Sequence, residues 1–308
     1  MRVNQEDLNI DKVKSTKVCV CYGFTADMEF AAGVSILNFV DLHGSEGFDF
    51  ILYSDSRLPK LKAALGARGI NVEVNVFHPP IRWLDLYSSR AVAYFSPLVL
   101  SKFEVFSHLS HYRRVIWFDY DIVIKGRLTD VISKNNFDLA FMTSGQPFEN
   151  AFISPPQNVD VETLAKEGLS AGLLVVNDTF PDHQSASPCL YSTYLLHSSN
   201  LYYPEQAILD IFLNSVSYKW LELDGEIYCA DPKMELPQSL ILHSWGPLKF
   251  WDGRPNQKWT GYYQLWLGLG GGKYSRAKSR MNGISRKLKY LVASRIVAAF
   301  GKGKSKPW

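Results

Sequence analysis

The chain has 308 residues, of which 46% are hydrophobic and 20% charged, and only four are cysteines. The high apolar fraction excludes global disorder, and the length suits one large domain or two small ones with a sizeable core. Four cysteines without a CxxC pair exclude a disulfide scaffold and argue against a thiolate zinc site. A reducing compartment is therefore expected.

Charge is distributed unevenly along the chain. The net charge is +3, and the last acidic residue is Asp252. Residues 1–252 carry 20 basic and 30 acidic side chains, whereas residues 253–308 carry 13 basic side chains and no acidic one. This asymmetry predicts an acidic body with a basic tail, and an anionic partner for that tail.

Neither a secretory leader nor a membrane span is predicted. Residues 1–16 form a polar extension without the apolar core of a signal peptide. No run reaches the roughly 18 uninterrupted apolar residues that a spanning helix needs. The longest apolar candidate, residues 288–300, is short and contains Lys289 and Arg295.

Strands and helices alternate in the first 120 residues. The apolar periodicity predicts strands at 17–22, 48–53, 72–77 and 114–118, and helices at 27–39, 58–67 and 97–109. Such alternation favours a mainly parallel sheet covered by helices. Ligands of such sheets bind at the carboxyl ends of the strands, and Asp119-Tyr120-Asp121 lies at one of those ends.

The pattern is less regular further along the chain. The prolines within residues 145–167 predict a loop or lid, and the four glycines within 268–272 predict a hinge. We therefore predict one main domain over 17–267, followed by the hinge and a basic tail over 268–308. The further predicted elements are strands at 137–142, 171–176 and 239–242, and helices at 204–214 and 256–267.

Two carboxylates separated by one residue follow the buried strand 114–118. Asp119 and Asp121 are costly to desolvate together unless a cation lies between them, and oxygen ligands select hard divalent cations such as Mg²⁺ or Mn²⁺. The alternative is that one aspartate caps the turn and the other is solvated, because aspartate is common in turns.

Three later segments can reach the same edge of the sheet. Ser170-Ala171-Gly172 enters a strand, and small residues there allow a close approach of the backbone. Glu205-Gln206 opens a helix, and His243 begins a segment that continues through Gly246 and Lys249 to Trp251.

Together these motifs resemble glycosyltransferase family 8, the family of glycogenin and of bacterial lipopolysaccharide galactosyl- and glucosyltransferases. The resemblance runs from Lys17 to about Trp251. That family has a strand ending in DxD, an N-A/S-G strand, a D-Q helix start and H-x-x-G-x-x-K-P-W. Ser170, Glu205 and Phe250 depart from the pattern, where the family has Asn, Asp and Pro, so the identity of the donor sugar stays open. The implied fold is the α/β GT-A type, a mainly parallel mixed sheet flanked by helices.

The resemblance also implies roles for individual residues. Asp119, Asp121 and His243 would hold Mn²⁺ or Mg²⁺, and an imidazole in the set favours manganese. Gln206 would face the anomeric carbon as a catalytic residue, with Glu205 nearby. The UDP-sugar donor would contact Tyr22, Asp27, Lys102, Tyr120, Ser170, Ala171, Gly172, Gly246 and Lys249.

Several of these residues also have a plain structural interpretation. A histidine in an apolar run is commonly a hydrogen-bonded core residue, and Lys102 and Lys249 could be solvated surface lysines. Glu205 could serve only the helix dipole, since acidic groups are favoured in a first turn.

The activity implied by the resemblance is metal-dependent, retaining transfer of a hexosyl group from a UDP-sugar to a glycan or glycolipid acceptor. The implied setting is the synthesis of bacterial surface polysaccharide or lipopolysaccharide. Retaining glycosidases use a carboxylate nucleophile. The matching position here is Gln206, and an amide is a poor nucleophile. A front-face mechanism, in which an oxygen of the leaving phosphate helps to deprotonate the acceptor, therefore fits better.

The basic tail has an apolar side. Ile284, Leu288, Leu291, Val292, Ile296 and Phe300 fall broadly on one face of a helix, interrupted by Arg295. This pattern predicts an interfacial helix on anionic lipid, with Phe300 and Trp308 at the interface, and a peripheral location on the cytoplasmic side of the cell membrane. The alternatives are a helix docked on the acidic body or a frayed tail. Nucleic acid is not an expected partner, because no recognition module is evident.

Two other functions stay open on sequence grounds. Asp119-Tyr120-Asp121-Ile122-Val123 also fits the nucleophile motif of haloacid-dehalogenase-type phosphatases, but that reading leaves residues 243–251 unexplained. A non-catalytic nucleotide-sugar-binding protein of the same fold would tolerate the departures at Ser170 and Phe250.

Overall fold

A seven-stranded sheet forms the centre of the molecule. The computed structural model describes residues 14–87 and 89–300, with the backbone alone for Phe300. The strand order is β3-β2-β1-β4-β7-β6-β8, and β5 pairs with β9 as a separate small ribbon. The strands are β1 (Val18–Gly23), β2 (Phe48–Ser54), β3 (Val72–Val76), β4 (Arg114–Phe118), β5 (Ile122–Ile124), β6 (Leu139–Pro147), β7 (Glu167–Asn177), β8 (Trp220–Glu222) and β9 (Ile241–His243).

The sheet is parallel on one side and mixed on the other. Strands β3, β2, β1 and β4 are parallel, whereas β7 runs antiparallel to both β4 and β6, and β8 is parallel to β6. The predicted mainly parallel mixed sheet is therefore confirmed. Because β7 is reversed, its first residues lie at the same edge as the last residues of β4.

Helices cover the sheet. They are α1 (Glu29–His43), α2 (Pro59–Gly66), α3 (Trp83–Tyr87), α4 (Arg90–Phe95), α5 (Thr129–Ser133), α6 (Val161–Ala165), α7 (His183–His197), α8 (Pro204–Ser215), α9 (Gly225–Tyr228), α10 (Gln257–Gly268) and α11 (Arg276–Phe300). Shorter 3-10 segments occur at Ala26–Met28, Pro97–Val105, Ser107–Ser110, Phe148–Ala151 and Ser198–Asn200.

Strand β1 is apolar on both sides because helices cover both faces of the sheet. Cys19 and Cys21 belong to one core cluster, and their sulfur atoms lie 3.5 Å apart. Val20 and Tyr22 belong to the cluster on the opposite face, where the Tyr22 hydroxyl lies 3.2 Å from Ser35 Oγ. The pairing of the two cysteines on one face agrees with the sequence prediction.

Several predicted elements differ in type or extent. The helix expected at 97–109 is 3-10 in the structure, and the strand expected at 239–242 is Ile241–His243. The expected loop at 145–167 contains the end of β6, a 3-10 turn and α6. Helix α7 was not predicted, because its sequence contains Pro188 and lacks a clear apolar stripe.

The basic tail forms the long helix α11, which docks on the body along one face. Ala293 is fully buried in the same core cluster as Tyr87 and Ala91 of α3 and α4. The Lys289 ammonium lies 5.2 Å from the centre of the Tyr87 ring, and Asn282 Nδ2 donates a hydrogen bond to Asp27 Oδ1 at 2.9 Å. The face of α11 that carries Asn282, Lys289 and Ala293 therefore docks on the body, as one of the alternatives predicted.

Several large apolar side chains of α11 are exposed, namely Met281, Ile284, Leu288, Leu291, Val292, Ile296 and Val297. By helical spacing, Met281, Ile284, Leu288 and Leu291 lie on the side opposite the buried Ala293, whereas the other three lie beside it. Within the described residues, no helix combines the length and the apolar character needed to cross a bilayer. The predicted interfacial contacts of the Phe300 side chain and Trp308, and most of the predicted 1–16 extension, lie outside the described residues.

Candidate active site

A large cleft opens at the carboxyl edge of β1 and β4. Asp119 and Asp121 directly follow β4, and the Asp119 N–H donates a hydrogen bond to the Gly172 carbonyl at 2.9 Å. The reversed β7 thus brings Ser170-Ala171-Gly172 beside the aspartates. Helix α8 begins at Pro204 and carries Glu205 and Gln206 into the lining of the same cleft.

The ribbon of β5 and β9 places the histidine. In its register, His243 pairs with Ile122, the residue after Asp121. His243 Nε2 lies 3.1 Å from Asp121 Oδ1 and 3.8 Å from Asp119 Oδ2. One ligand atom from each of the three residues lies within 4.8 Å of the others. Two carboxylates and an imidazole so close together form a donor set that fits a divalent cation such as Mn²⁺.

Positive groups hold the buried Asp121 in its ionised form. Burial by itself would raise the pKa of Asp121, but the charges and hydrogen bonds of His243 and Lys249 outweigh burial and lower it well below its usual range. The Lys249 ammonium is in close contact with Asp121 Oδ2 and also donates to the Ser244 carbonyl at 2.9 Å. Lys249 is thus part of this charge cluster rather than a solvated surface lysine.

The His243 ring is held on both sides. Burial acts to lower its pKa, but the Asp121 carboxylate more than compensates, so the pKa of His243 is raised well above its usual value. Protons and a divalent cation therefore compete for this imidazole. On the far side of the ring, Nδ1 lies 3.2 Å from the Cys229 sulfur. A neutral imidazole that offers Nε2 to a metal carries its proton on Nδ1, so Cys229 is the acceptor that would fix this tautomer.

We predict that Cys229→Ala lowers the affinity for Mn²⁺ by about 10- to 100-fold, the usual effect of removing a partner that orients a metal ligand. Titration of the protein with Mn²⁺, followed by electron paramagnetic resonance of the free ion, measures this affinity. Cys189→Ala, at an exposed cysteine of α7, is the matched control. Equal affinities in both variants would show that Cys229 does not orient His243.

Position 172 needs a glycine because the His243 ring lies directly against its backbone. A Cβ at position 172 would lie 2.8 Å from His243 Cε1 and 2.9 Å from its Nδ1. These separations are too short for real Cβ contacts, so the imidazole would have to move. The close backbone approach predicted for Ser170-Ala171-Gly172 is therefore present at Gly172.

Gly172→Ala is expected to displace the imidazole and weaken Mn²⁺ binding at least about tenfold, since metal ligation tolerates little misplacement. Gly225→Ala is the control, because a Cβ at position 225 meets no atom within 4 Å and this glycine also lines the cleft. The same Mn²⁺ titration applies. Wild-type affinity in Gly172→Ala would contradict the steric argument.

A second charge cluster links the aspartates to α8. The Lys102 ammonium lies 3.0 Å from Asp119 Oδ1 and 3.3 Å from Glu205 Oε1, and all but 5% of its side chain is buried. Burial acts to lower the pKa of Lys102, but the two carboxylates raise it above its usual value. Burial raises the pKa of Glu205, and Lys102 opposes that rise. Lys102 and Glu205 thus form a buried ion pair. Lys102 is therefore not a solvated surface lysine, and Glu205 does more than complement the helix dipole.

Two side chains of α8 fix the start of β7. The Gln206 Nε2 donates to the Leu169 carbonyl at 2.6 Å, and both Asp210 carboxylate oxygens lie 3.1 Å from the Leu169 N–H. This bond uses one of the two Gln206 N–H donors, and the Gln206 amide oxygen can accept a hydrogen bond from a ligand. Sequence reasoning missed Asp210 and Cys229, because neither belongs to a recognisable motif.

The raised pKa of Asp210 leads us to predict that the free energy of unfolding depends on pH. Burial raises its pKa to about 7 despite the hydrogen bond from Leu169. The unfolded value is about 3.9, so between these values the folded state binds more protons and the free energy of unfolding falls as pH rises. The loss is on the order of 4 kcal/mol by pH 8. Asp210→Asn, which cannot ionise, should flatten the profile in urea unfolding at pH 5 to 8. Parallel profiles for both proteins would refute the assignment.

The remaining predicted donor contacts divide into two groups. The cleft is lined by Lys102, Tyr120, Ser170, Ala171, Gly172, Gly246 and Lys249. Tyr22 and Asp27 are not among its lining residues, because Tyr22 is buried in the core and the Asp27 carboxylate accepts a hydrogen bond from Asn282. Gly23, Phe24 and Thr25 line the cleft between them. The segment after β1 thus reaches the cleft, but through Gly23, Phe24 and Thr25 and not through the side chains of Tyr22 and Asp27.

Three solved glycosyltransferases are similar in fold to this chain. The galactosyltransferase LgtC, solved with donor and acceptor sugar analogs, matches with a TM-score of 0.60 at 12% identity, over 83% of this chain and 97% of that chain. GlyE of Streptococcus pneumoniae TIGR4, in its apo form, matches with a TM-score of 0.55 at 15% identity, over 83% of this chain and 62% of that chain. The bifunctional glycosyltransferase WbbM, also in its apo form, matches with a TM-score of 0.53 at 17% identity, over 89% of this chain and 52% of that chain.

These likenesses establish a shared GT-A fold. No curated protein matches the chain by sequence. The sequence model of Glycosyl transferase family 8, however, matches residues 19–254, which is most of the chain and includes every motif discussed above. That match leaves the phosphatase alternative without support. The chain therefore belongs to glycosyltransferase family 8.

Proposed function

We propose that this glycosyltransferase transfers a hexosyl group, with retention of configuration, from a UDP-sugar to a glycan or glycolipid acceptor, and that transfer depends on Mn²⁺. The observation that carries the proposal is the cluster of Asp119, Asp121 and His243 within one cleft. A bacterial role in the synthesis of surface polysaccharide or lipopolysaccharide fits this activity. Family membership supports the class of reaction, and the donor set supports the metal.

The charges around the cleft suit a diphosphate. Asp119, Asp121 and His243 would hold the cation, and neutralising the charge that grows on the departing UDP is the chemistry that such a cation supplies. Lys249 lines the same cleft beside Asp121 and would place its ammonium against the diphosphate. Gly23, Phe24 and Thr25, at the end of β1, would meet the uridine.

The residues at the sugar end favour a front-face mechanism. Double displacement would need a free carboxylate close to the anomeric carbon. Glu205 is buried and paired with Lys102, and Gln206 is an amide whose nitrogen already binds the Leu169 carbonyl. Gln206 would thus orient the sugar through its amide oxygen. A covalent sugar trapped on Glu205 or Gln206 would contradict this mechanism.

Release of UDP from a panel of UDP-sugars, with Mn²⁺ and with chelator, tests the function. The panel comprises glucose, galactose, their N-acetyl forms and galacturonate. Metal-dependent hydrolysis of one donor names the sugar. Metal-dependent binding of UDP without any turnover favours the non-catalytic alternative, and absence of UDP binding overturns the proposal.

We also propose that α11 attaches the enzyme to anionic lipid, at the cytoplasmic face of the cell membrane. Its exposed apolar face includes Leu288 and Leu291, and no acidic residue follows Asp252. Apolar burial and basic charge together provide the two contributions that stable interfacial binding needs. Co-sedimentation with phosphatidylglycerol vesicles should exceed that with phosphatidylcholine vesicles and fall in Leu288→Ser/Leu291→Ser. Equal sedimentation with both lipids would refute the attachment.

A further inference from the structure

Four exposed aromatic side chains line the cleft and touch one another. Tyr94, Phe95, Tyr202 and Tyr203, here called the aromatic wall, are 69%, 40%, 60% and 43% exposed. A contiguous set of exposed aromatic rings is unusual on a soluble protein and marks a ligand-binding groove more often than chance packing.

The rings form a continuous series across two segments of the chain. Ring centres lie 4.8 Å apart for Tyr94 and Phe95, 6.2 Å for Phe95 and Tyr203, and 6.0 Å for Tyr203 and Tyr202. These are ordinary separations for aromatic pairs in contact. The wall therefore joins the end of α4 to the segment that leads into α8.

The backbone beneath the wall is fixed. Directly after Phe95, Ser96 has φ of 88°, its N–H donates to the Val92 carbonyl at 2.9 Å, and its hydroxyl accepts from the Leu98 N–H at 3.3 Å. A non-glycine residue keeps such a strained φ only where its surroundings enforce it, often at a functional site. The N–H groups of Tyr202 and Tyr203 both donate to the Ala151 carbonyl, at 2.8 and 3.2 Å.

The wall borders the sugar end of the proposed site. Tyr203 stands two residues before Glu205, and Phe95 is followed by the 3-10 segment that carries Lys102. Glu205 and Lys102 are paired at 3.3 Å, so both segments of the wall lead to the same buried ion pair. The cation cluster and Lys249 come from β4, β9 and the residues that follow them.

We propose that the aromatic wall binds the saccharide acceptor by stacking its rings against the apolar C–H faces of successive sugar residues. The inference rests on the proposed function. Pyranose rings present a C–H face to an aromatic surface and keep their hydroxyls at the edge, where the phenol groups of three tyrosines can bond them. Four rings offer more surface than one sugar covers, so the acceptor is an oligosaccharide with at least two residues in contact.

Binding of lactose, cellobiose and maltose, each with saturating UDP and Mn²⁺, tests the wall by titration and saturation-transfer NMR. At least one disaccharide should bind the wild type. Tyr94→Ala and Tyr202→Ala, at the two most exposed rings, should each weaken it at least about fivefold, while Tyr94→Phe and Tyr202→Phe keep most of the affinity because the ring surface remains. UDP affinity should be unchanged in all four variants.

Trp220→Ala is the matched control, because Trp220 is also an exposed aromatic residue but does not line the cleft. The proposal is overturned if no disaccharide binds the wild type, or if the alanine variants bind as the wild type does. It is also overturned if UDP affinity falls with the alanine variants, since the wall would then serve the nucleotide. If the wild type binds no UDP, the proposed function is refuted instead, and the same disaccharide titrations without UDP decide the role of the wall.

Discussion

Asp121→Asn is expected to abolish Mn²⁺ binding and to lower donor turnover by at least about 10³-fold, because removing charge stabilisation from a leaving diphosphate costs several kcal/mol. Asp121 is the buried member of the pair and the one in contact with both His243 and Lys249. Its amide would remove the carboxylate that contacts Lys249 and the nearer of the two carboxylates beside His243. UDP release with the donor identified by the panel measures turnover, and thermal unfolding verifies that the variant folds.

The control for this substitution is Glu226→Gln, which also lies at the cleft but outside the three-residue cluster. It should keep Mn²⁺ affinity and turnover within about twofold, as expected for an exposed surface substitution. Asp119→Asn should follow Asp121→Asn in losing the metal. Full turnover in Asp121→Asn with Mn²⁺ present would refute the metal site.

Lys102→Met should destabilise the fold by about 3–5 kcal/mol, because it leaves the buried Glu205 and the neighbouring Asp119 without their shared cation. Methionine keeps most of the side-chain volume, so the loss reports the charge rather than a cavity. Urea unfolding of both proteins measures the difference. Lys62→Met, at an exposed lysine of α2, should change stability by less than about 0.5 kcal/mol.

A double-mutant cycle separates the pair from other effects. Adding Glu205→Gln to Lys102→Met removes the uncompensated charge and should recover a large part of the lost stability, since residues in one buried ion pair are strongly non-additive. Strict additivity of the two single substitutions would show that Lys102 and Glu205 do not act as a pair. In that case the 3.3 Å contact would be energetically unimportant.

Sequence periodicity determined much of the fold. The apolar runs before Tyr22, Tyr53 and Asp119 are strands because a sheet covered on both faces needs apolar residues at successive positions. The order of DxD, Ser170-Ala171-Gly172, Glu205-Gln206 and His243 to Lys249 sufficed for the family, which the match over residues 19–254 confirms. The GT-A fold followed from both.

Local pattern was less informative where tertiary contacts decide the conformation. The 3-10 geometry of Pro97–Val105 and the helix α7 with its internal Pro188 carry no clear periodic signal. The side chain of Tyr22 could be placed on a face of β1 only once Ser35 and the neighbouring core residues were known. For that reason Gly23, Phe24 and Thr25, and not Tyr22, line the cleft at the end of β1.

The sequence by itself therefore determined the kind of protein, the candidate metal ligands and the existence of an apolar, basic terminal helix. Only the tertiary structure decided which groups meet: Lys102 with Glu205, Cys229 with His243, and Tyr203 with Phe95. Each pair joins residues from different elements, and their contact depends on the reversed β7, the β5–β9 ribbon and the docking of α8. Such long-range pairing leaves no periodic trace in the sequence, because periodicity reports only which face of an element is buried.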